Sequence, residues 1–98
     1  MIEMVESKWS EWLDNNQEII SQIPEKPGVY MMHESMKILL IEGSQNMKKS
    51  INEALNEKCV SNLTRIRFCE EENYVQIKNK LLSDYKKRHE GNIPQCMS

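Results

Sequence analysis

Cysteine, glycine and proline are scarce, at three residues each in a chain of 98. Cys59, Cys69 and Cys96 are odd in number and widely spaced, and form no CxxC pair. That usage predicts unpaired thiols and an intracellular setting, cytoplasmic or nuclear. With His33 and His89 the cysteines match no zinc-ligand spacing, so no metal centre is expected of them. No apolar run approaches the ~20 residues that cross a bilayer. Residues 1–6 carry two acids and no basic stretch leading into an apolar core, so no secretory address and no membrane partner are expected. Aromatics are few as well: Trp9, Trp12, Tyr30, Phe68, Tyr74 and Tyr85. That leaves little surface on which nucleic-acid bases could stack.

What is present is ordinary for a globular domain: 39% hydrophobic and 29% charged residues. The length allows one domain, 1–98, and not two. Seven methionines are many, and as flexible gap-fillers they belong mostly in a core. The formal charge of −2 is uneven. Residues 1–43 hold three basic and eight acidic side chains, a balance of −5; residues 44–98 hold ten and seven, a balance of +3. The second half is mildly basic, far short of the stripe a dedicated nucleic-acid binder carries.

Periodicity predicts the order of elements. Trp9, Trp12, Leu13, Ile19, Ile20 and Ile23 approximate a 3.6-residue stripe, which predicts an N-terminal helix within 1–22, ended by Pro24 and Pro27-Gly28. Residues 29–33 and 37–42 predict an antiparallel hairpin turning at Glu34-Ser35-Met36. The unbroken run Ile38-Leu39-Leu40-Ile41 suits a strand buried on both faces. Gly43-Ser44-Gln45-Asn46 offers capping side chains for a helix over 47–57. Ile66 and Phe68 alternate with Arg65 and Arg67, which predicts a third strand over 64–69. Tyr74, Ile77, Leu81, Leu82 and Tyr85 stripe a last helix over 72–89, with Gly91 as its C-terminal cap and Pro94 beyond. The fold class is α+β, in the order α-β-β-α-β-α: a small three-stranded, mostly antiparallel sheet flanked by helices. The expected core includes Trp12, Ile19, Val29, Leu39, Ile41, Ile51, Leu55, Ile66, Phe68, Ile77, Leu81 and Leu82.

Three motifs in order then give a resemblance. Ile23-Pro24-Glu25-Lys26-Pro27-Gly28-Val29-Tyr30 resembles the opening I/L-P-x-x-P-G-V/I-Y of the GIY-YIG nuclease superfamily. Ile41-Glu42-Gly43 stands where YIG falls, and Asn46-Met47 fits the following helix if the loop is one residue short. Lys78 to Tyr85 resembles the closing E-x-x-L-L-x-x-Y, followed by His89-Glu90-Gly91 and Pro94-Gln95-Cys96 in place of H-G-x-L-P and C-N. The resemblance covers 23–96, behind an N-terminal lead-in at 1–22, and implies a small stand-alone member.

It also implies which positions matter. In the family, tyrosines position the nucleophile, an arginine stabilises the phosphate, and a glutamate holds one divalent metal. Here Tyr30 keeps the first tyrosine, Ile41 replaces the second, Ser50 replaces the arginine and Lys78 replaces the glutamate. Gly43 keeps the glycine of YIG. A hard divalent cation needs oxygen ligands, so a lysine at the metal position inverts the local electrostatics. Glu53, Glu57, Glu70, Glu71 and Glu72 are carboxylates, but none is expected on the site's face. The resemblance thus implies a catalytically degenerate domain with no intact catalytic set, no cofactor and no metal. It would bind a protein partner first and nucleic acid second, with Lys48, Lys49, Lys80, Lys78, Arg65 and Arg67 as candidate phosphate contacts. The alternative expectation is an endonuclease dependent on Mg²⁺ or Mn²⁺ with a rearranged site. Tyr30, Ile41, Ser50 and Lys78 are expected to converge on one concave face.

Overall fold

The computed structural model describes residues 9–35 and 37–97. The chain runs through β1 (Leu13–Asp14), α1 (Gln17–Ile20), β2 (Gly28–Glu34), β3 (Lys37–Ser44), α2 (Met47–Ala54), β4 (Arg65–Glu70) and α3 (Tyr74–Arg88). Short 3₁₀ turns sit at Lys58–Val60 and Gln95–Met97. The strands form one antiparallel sheet in the order β1-β4-β2-β3, so the expected α+β class holds with four strands rather than three.

The extra strand comes from the segment expected to be helical. From Trp9 to Asp14 the chain lies extended along the edge of β4. Trp9 bridges Cys69, and Leu13 and Asp14 pair with Ile66 and Arg65. Ser10 donates its N–H to the Phe68 carbonyl at 2.7 Å, and its Oγ accepts the Phe68 N–H at 3.0 Å. Among the described residues of this segment, helix survives only as the single turn Gln17–Ile20, where Asn16 Oδ1 accepts the Glu18 N–H at 2.8 Å. The reason lies outside the segment: without it, β4 would present a row of unpaired N–H and C=O groups. Residues 1–8 of the expected helix, and Met36 of the expected turn, lie outside the described residues.

The hairpin forms as the pattern predicts, pairing Glu34 with Lys37 and Gly28 with Ser44. Ser35 takes a left-handed φ of 56° at its tip. A bulge between Met32 and His33 leaves Leu39 unopposed, and both Leu39 and Leu40 enter the same core. Strand alternation divides the side chains into two layers. Tyr30 and Met32 point to one face with Met47 and Ile51 of α2 and with Ile20 and Ile23. Val29, Met31 and Ile41 point to the other, under Tyr74, Ile77 and Leu81 of α3.

Val29, Leu39, Ile41, Ile51 and Ile66 are fully buried, as expected. Trp12 is 36% exposed, and Ile19, Leu55, Phe68, Ile77, Leu81 and Leu82 are only partly buried. For α3 the cause is geometric. It packs mainly over β3 and less over β2. An open cleft of about 330 Å³ separates its Ile77, Leu81 and Tyr85 from Trp9 and Arg67.

The expectation of unpaired thiols fails for two cysteines. Cys59 and Cys96 form a disulfide, with a Cα–Cα distance of 5.6 Å, between the two 3₁₀ turns. Cys69 is buried in β4 and takes no part in it. Pairing was invisible in the sequence because 37 positions separate the partners, and only the folded chain brings them together.

Candidate functional site

The two glycines of the resemblance do structural work that fixes the surroundings of Tyr30. A Cβ on Gly28 would overlap the Cys69 carbonyl and the Met47 thioether. A Cβ on Gly43 would come within 2.8 Å of the Tyr74 ring. Their bare backbones let α2 close on one face and α3 on the other. Asn46 starts α2, its Oδ1 accepting the Lys49 N–H at 3.1 Å, and the Met47 N–H donates to the Lys26 carbonyl at 3.0 Å. These contacts tie the PGVY turn to the helix that carries Ser50.

Tyr30 and Ser50 share a hydrogen bond of 2.8 Å between hydroxyls. Tyr30 is buried to 2% exposure, yet it borders an open groove of about 810 Å³. Burial raises the Tyr30 pKa above its usual 10.0; the Ser50 hydrogen bond opposes that rise, and the Glu42 and Glu53 carboxylates add to it. The phenol is therefore held protonated at neutral pH. Glu42 stands opposite Tyr30 in the strand register and also borders the groove. Its Oε1 accepts a hydrogen bond from Lys78 Nζ at 2.6 Å, a half-buried ion pair.

Of the expected convergent set, the structure brings together Tyr30 and Ser50, with Gly43 on the same groove, and joins Lys78 to them through Glu42. Ile41 does not join them. It packs on the opposite face and lines the cleft beneath α3, because neighbours along a strand point to opposite sides. The candidate phosphate contacts are scattered. Lys80 and Arg67 line that opposite cleft, Arg65 lies 3.8 Å from Asp14, and Lys48 and Lys49 border neither space. The Arg67 guanidinium stacks over Trp9 and Trp12, at 4.5 and 4.8 Å from the ring centres.

Two carboxylates expected elsewhere do face the groove: Glu53 and Glu57 line it together with Ser50 and Ala54. For Glu53 the signal was available, since i, i+3 and i+4 from Ser50 share one helical face; Glu57 lies beyond the end of α2, in extended backbone. Among the described residues, no group of three or more His, Cys, Asp or Glu is placed to hold a metal ion. Position 78, where the resemblance would place a metal carboxylate, holds a lysine. An ammonium stands there, and it occupies the carboxylate nearest to it.

Fold and site together define a small α+β domain whose four-stranded antiparallel sheet carries a groove around a protonated tyrosine. The chain matches no protein-family model, no curated protein and no solved structure.

Proposed function

We propose that this chain is a catalytically degenerate GIY-YIG nuclease-like domain that works as a binding module, for a protein partner ahead of a nucleic acid. The observation that carries the reading is the Lys78–Glu42 ion pair beside the Tyr30–Ser50 hydrogen bond. A cation stands where the superfamily would place its metal carboxylate, and a neutral hydroxyl where it would place its phosphate-stabilising arginine. Phosphoryl transfer draws its rate from charge placed against the transferring group, and neither replacement supplies it.

The groove's own charge supports a protein over a polyanion. Its ionisable lining is Tyr30, Glu42, Glu53, Glu57 and Lys58, an acidic balance that repels phosphates. No helix of the described residues is long and apolar enough to cross a membrane. The alternative, a metal-dependent endonuclease with a rearranged site, draws on the same carboxylates, since Glu42 and Glu53 lie close enough to act on the Tyr30 phenol.

One assay separates the two. Purified protein is incubated with supercoiled plasmid, single-stranded DNA and RNA in Mg²⁺ or Mn²⁺. The binding-module reading expects no cleavage by wild type or by Tyr30→Phe. Metal-dependent nicking that disappears in Tyr30→Phe would overturn it. Nucleic-acid binding at low salt with a steep loss as salt rises would move the partner class from protein to nucleic acid.

A further inference from the structure

The segment that follows α3 returns to the sheet and covers its outer edge. Among the described residues β3 is an edge strand, paired on one side only by β2. On its outer side the Ile41 N–H donates to Met97 Sδ at 3.5 Å. A thioether is a weak acceptor, so this cover is easily given up. Met97 packs against the apolar layers on both faces of the sheet, as a residue wrapped around an edge must. Pro94, fully buried, anchors the near end of the segment. Cys96 sits between them and is bonded to Cys59. Both cysteines line the groove that holds Tyr30, so the same disulfide closes one wall of the groove and fastens the cover on β3.

We infer that residues 94–97 form a redox-latched strap: reduction of Cys59–Cys96 frees it from the edge of β3 and from the groove wall. The reductant is a dithiol. Cys59 is exposed, so a thiolate of the dithiol attacks Cys59 Sγ. The S–S bond breaks and its electron pair leaves on Cys96 Sγ, which takes a proton. The second thiolate of the dithiol then attacks its own sulfur in the mixed disulfide and expels Cys59 as a thiol. The dithiol ends as a cyclic disulfide, and two electrons and two protons reside on the cysteines. Without the bond, the strap is held by non-covalent contacts, among them the weak one of Met97 sulfur with a backbone N–H. Edge backbone left open in this way is a surface that an extended peptide can pair with.

The test is residue-resolved amide hydrogen exchange on the whole chain, oxidised and after dithiothreitol, with the thiol state fixed by intact mass. The expected result is at least a ~tenfold faster exchange at Ile41 and Met97 on reduction, while the central strand β2 keeps its protection. In the oxidised protein, Met97→Ala is expected to speed Ile41 alone. Unchanged Ile41 exchange in fully reduced protein, or in Met97→Ala, overturns the strap. So does a reduction that speeds β2 and Ile41 together, because the segment is then no separate unit. That the uncovered groove receives a partner rests on the function proposed above. Fast Ile41 exchange in a reduced protein that binds no partner would count against that function and in favour of the strap.

Discussion

Tyr30 illustrates what one side chain contributes here. Its folded-state pKa is raised, chiefly by burial, while the unfolded chain titrates near 10.0. Below that pH both states are protonated, and the stability tied to this group is fully present. Above it the unfolded chain releases a proton that the folded one keeps, so stability is lost as pH rises through the folded value. Urea unfolding between pH 9 and 11 is expected to show a steeper alkaline loss for wild type than for Tyr30→Phe. Equal slopes would mean that the phenol is not buried as described. His33 acts at the acid end. Burial, then the Arg67 charge, lowers its pKa below 6.5, so its contribution is lost as pH falls through the folded value.

Glu90 sits just past the C-terminal end of α3. The α3 terminus carries the Gly91 N–H to the Lys86 carbonyl at 2.8 Å, and the left-handed position before it is Glu90, at φ 56°. The cap was expected at Gly91, but the geometry places the first left-handed residue one position earlier. A side chain there carries a steric cost that glycine avoids. Glu90→Gly is expected to raise stability by about 1 kcal/mol in a denaturant melt.

Among elements, β2 was readable and β1 was not. The PGVY turn, the short polar stretch at Glu34-Ser35-Met36 and the apolar run in β3 are local signals, and the hairpin followed from them. Gly28 has the tightest surroundings, with α2 and β4 both closing on its bare Cα. Gly28→Ala is expected to cost about 1–3 kcal/mol, as overpacking does, and to loosen the Tyr30–Ser50 pair with it. A Gly28→Ala melt indistinguishable from wild type would mean that α2 does not approach this closely. The segment Trp9–Asp14 shows the opposite case. Its apolar spacing suited a helix, but the paired groups that stabilise it belong to Phe68, Ile66 and Arg65, more than fifty positions away. Long-range pairing outweighed the local preference, whose differences amount to tenths of a kcal/mol per residue.

At the scale of the whole molecule, a domain this small buries a limited core, and a cross-link adds appreciably to its stability. Cys59–Cys96 closes a loop with a sequence separation of 37, for which chain entropy suggests roughly 2–4 kcal/mol. The double variant Cys59→Ser/Cys96→Ser is expected to lose that amount in urea unfolding and to keep the fold. A loss within ~0.5 kcal/mol would show that the cross-link contributes little. The candidate site has the same molecular character. Tyr30 lies on β2, Glu42 on β3, Ser50 and Glu53 on α2, and Lys78 on α3. No window of sequence contains them.

By itself the sequence determined the α+β class, the hairpin, the two longer helices and most of the strand core. Each depends on neighbours a few residues apart, which is where periodicity, capping and turn chemistry act. Tertiary structure alone decided the fourth strand, the disulfide, the side of the sheet on which Ile41 lies, and the pairing of Lys78 with Glu42. Those depend on which distant groups come within a few ångströms. Strand register and helix packing set such contacts once the chain has folded, and spacing along the chain does not encode them directly.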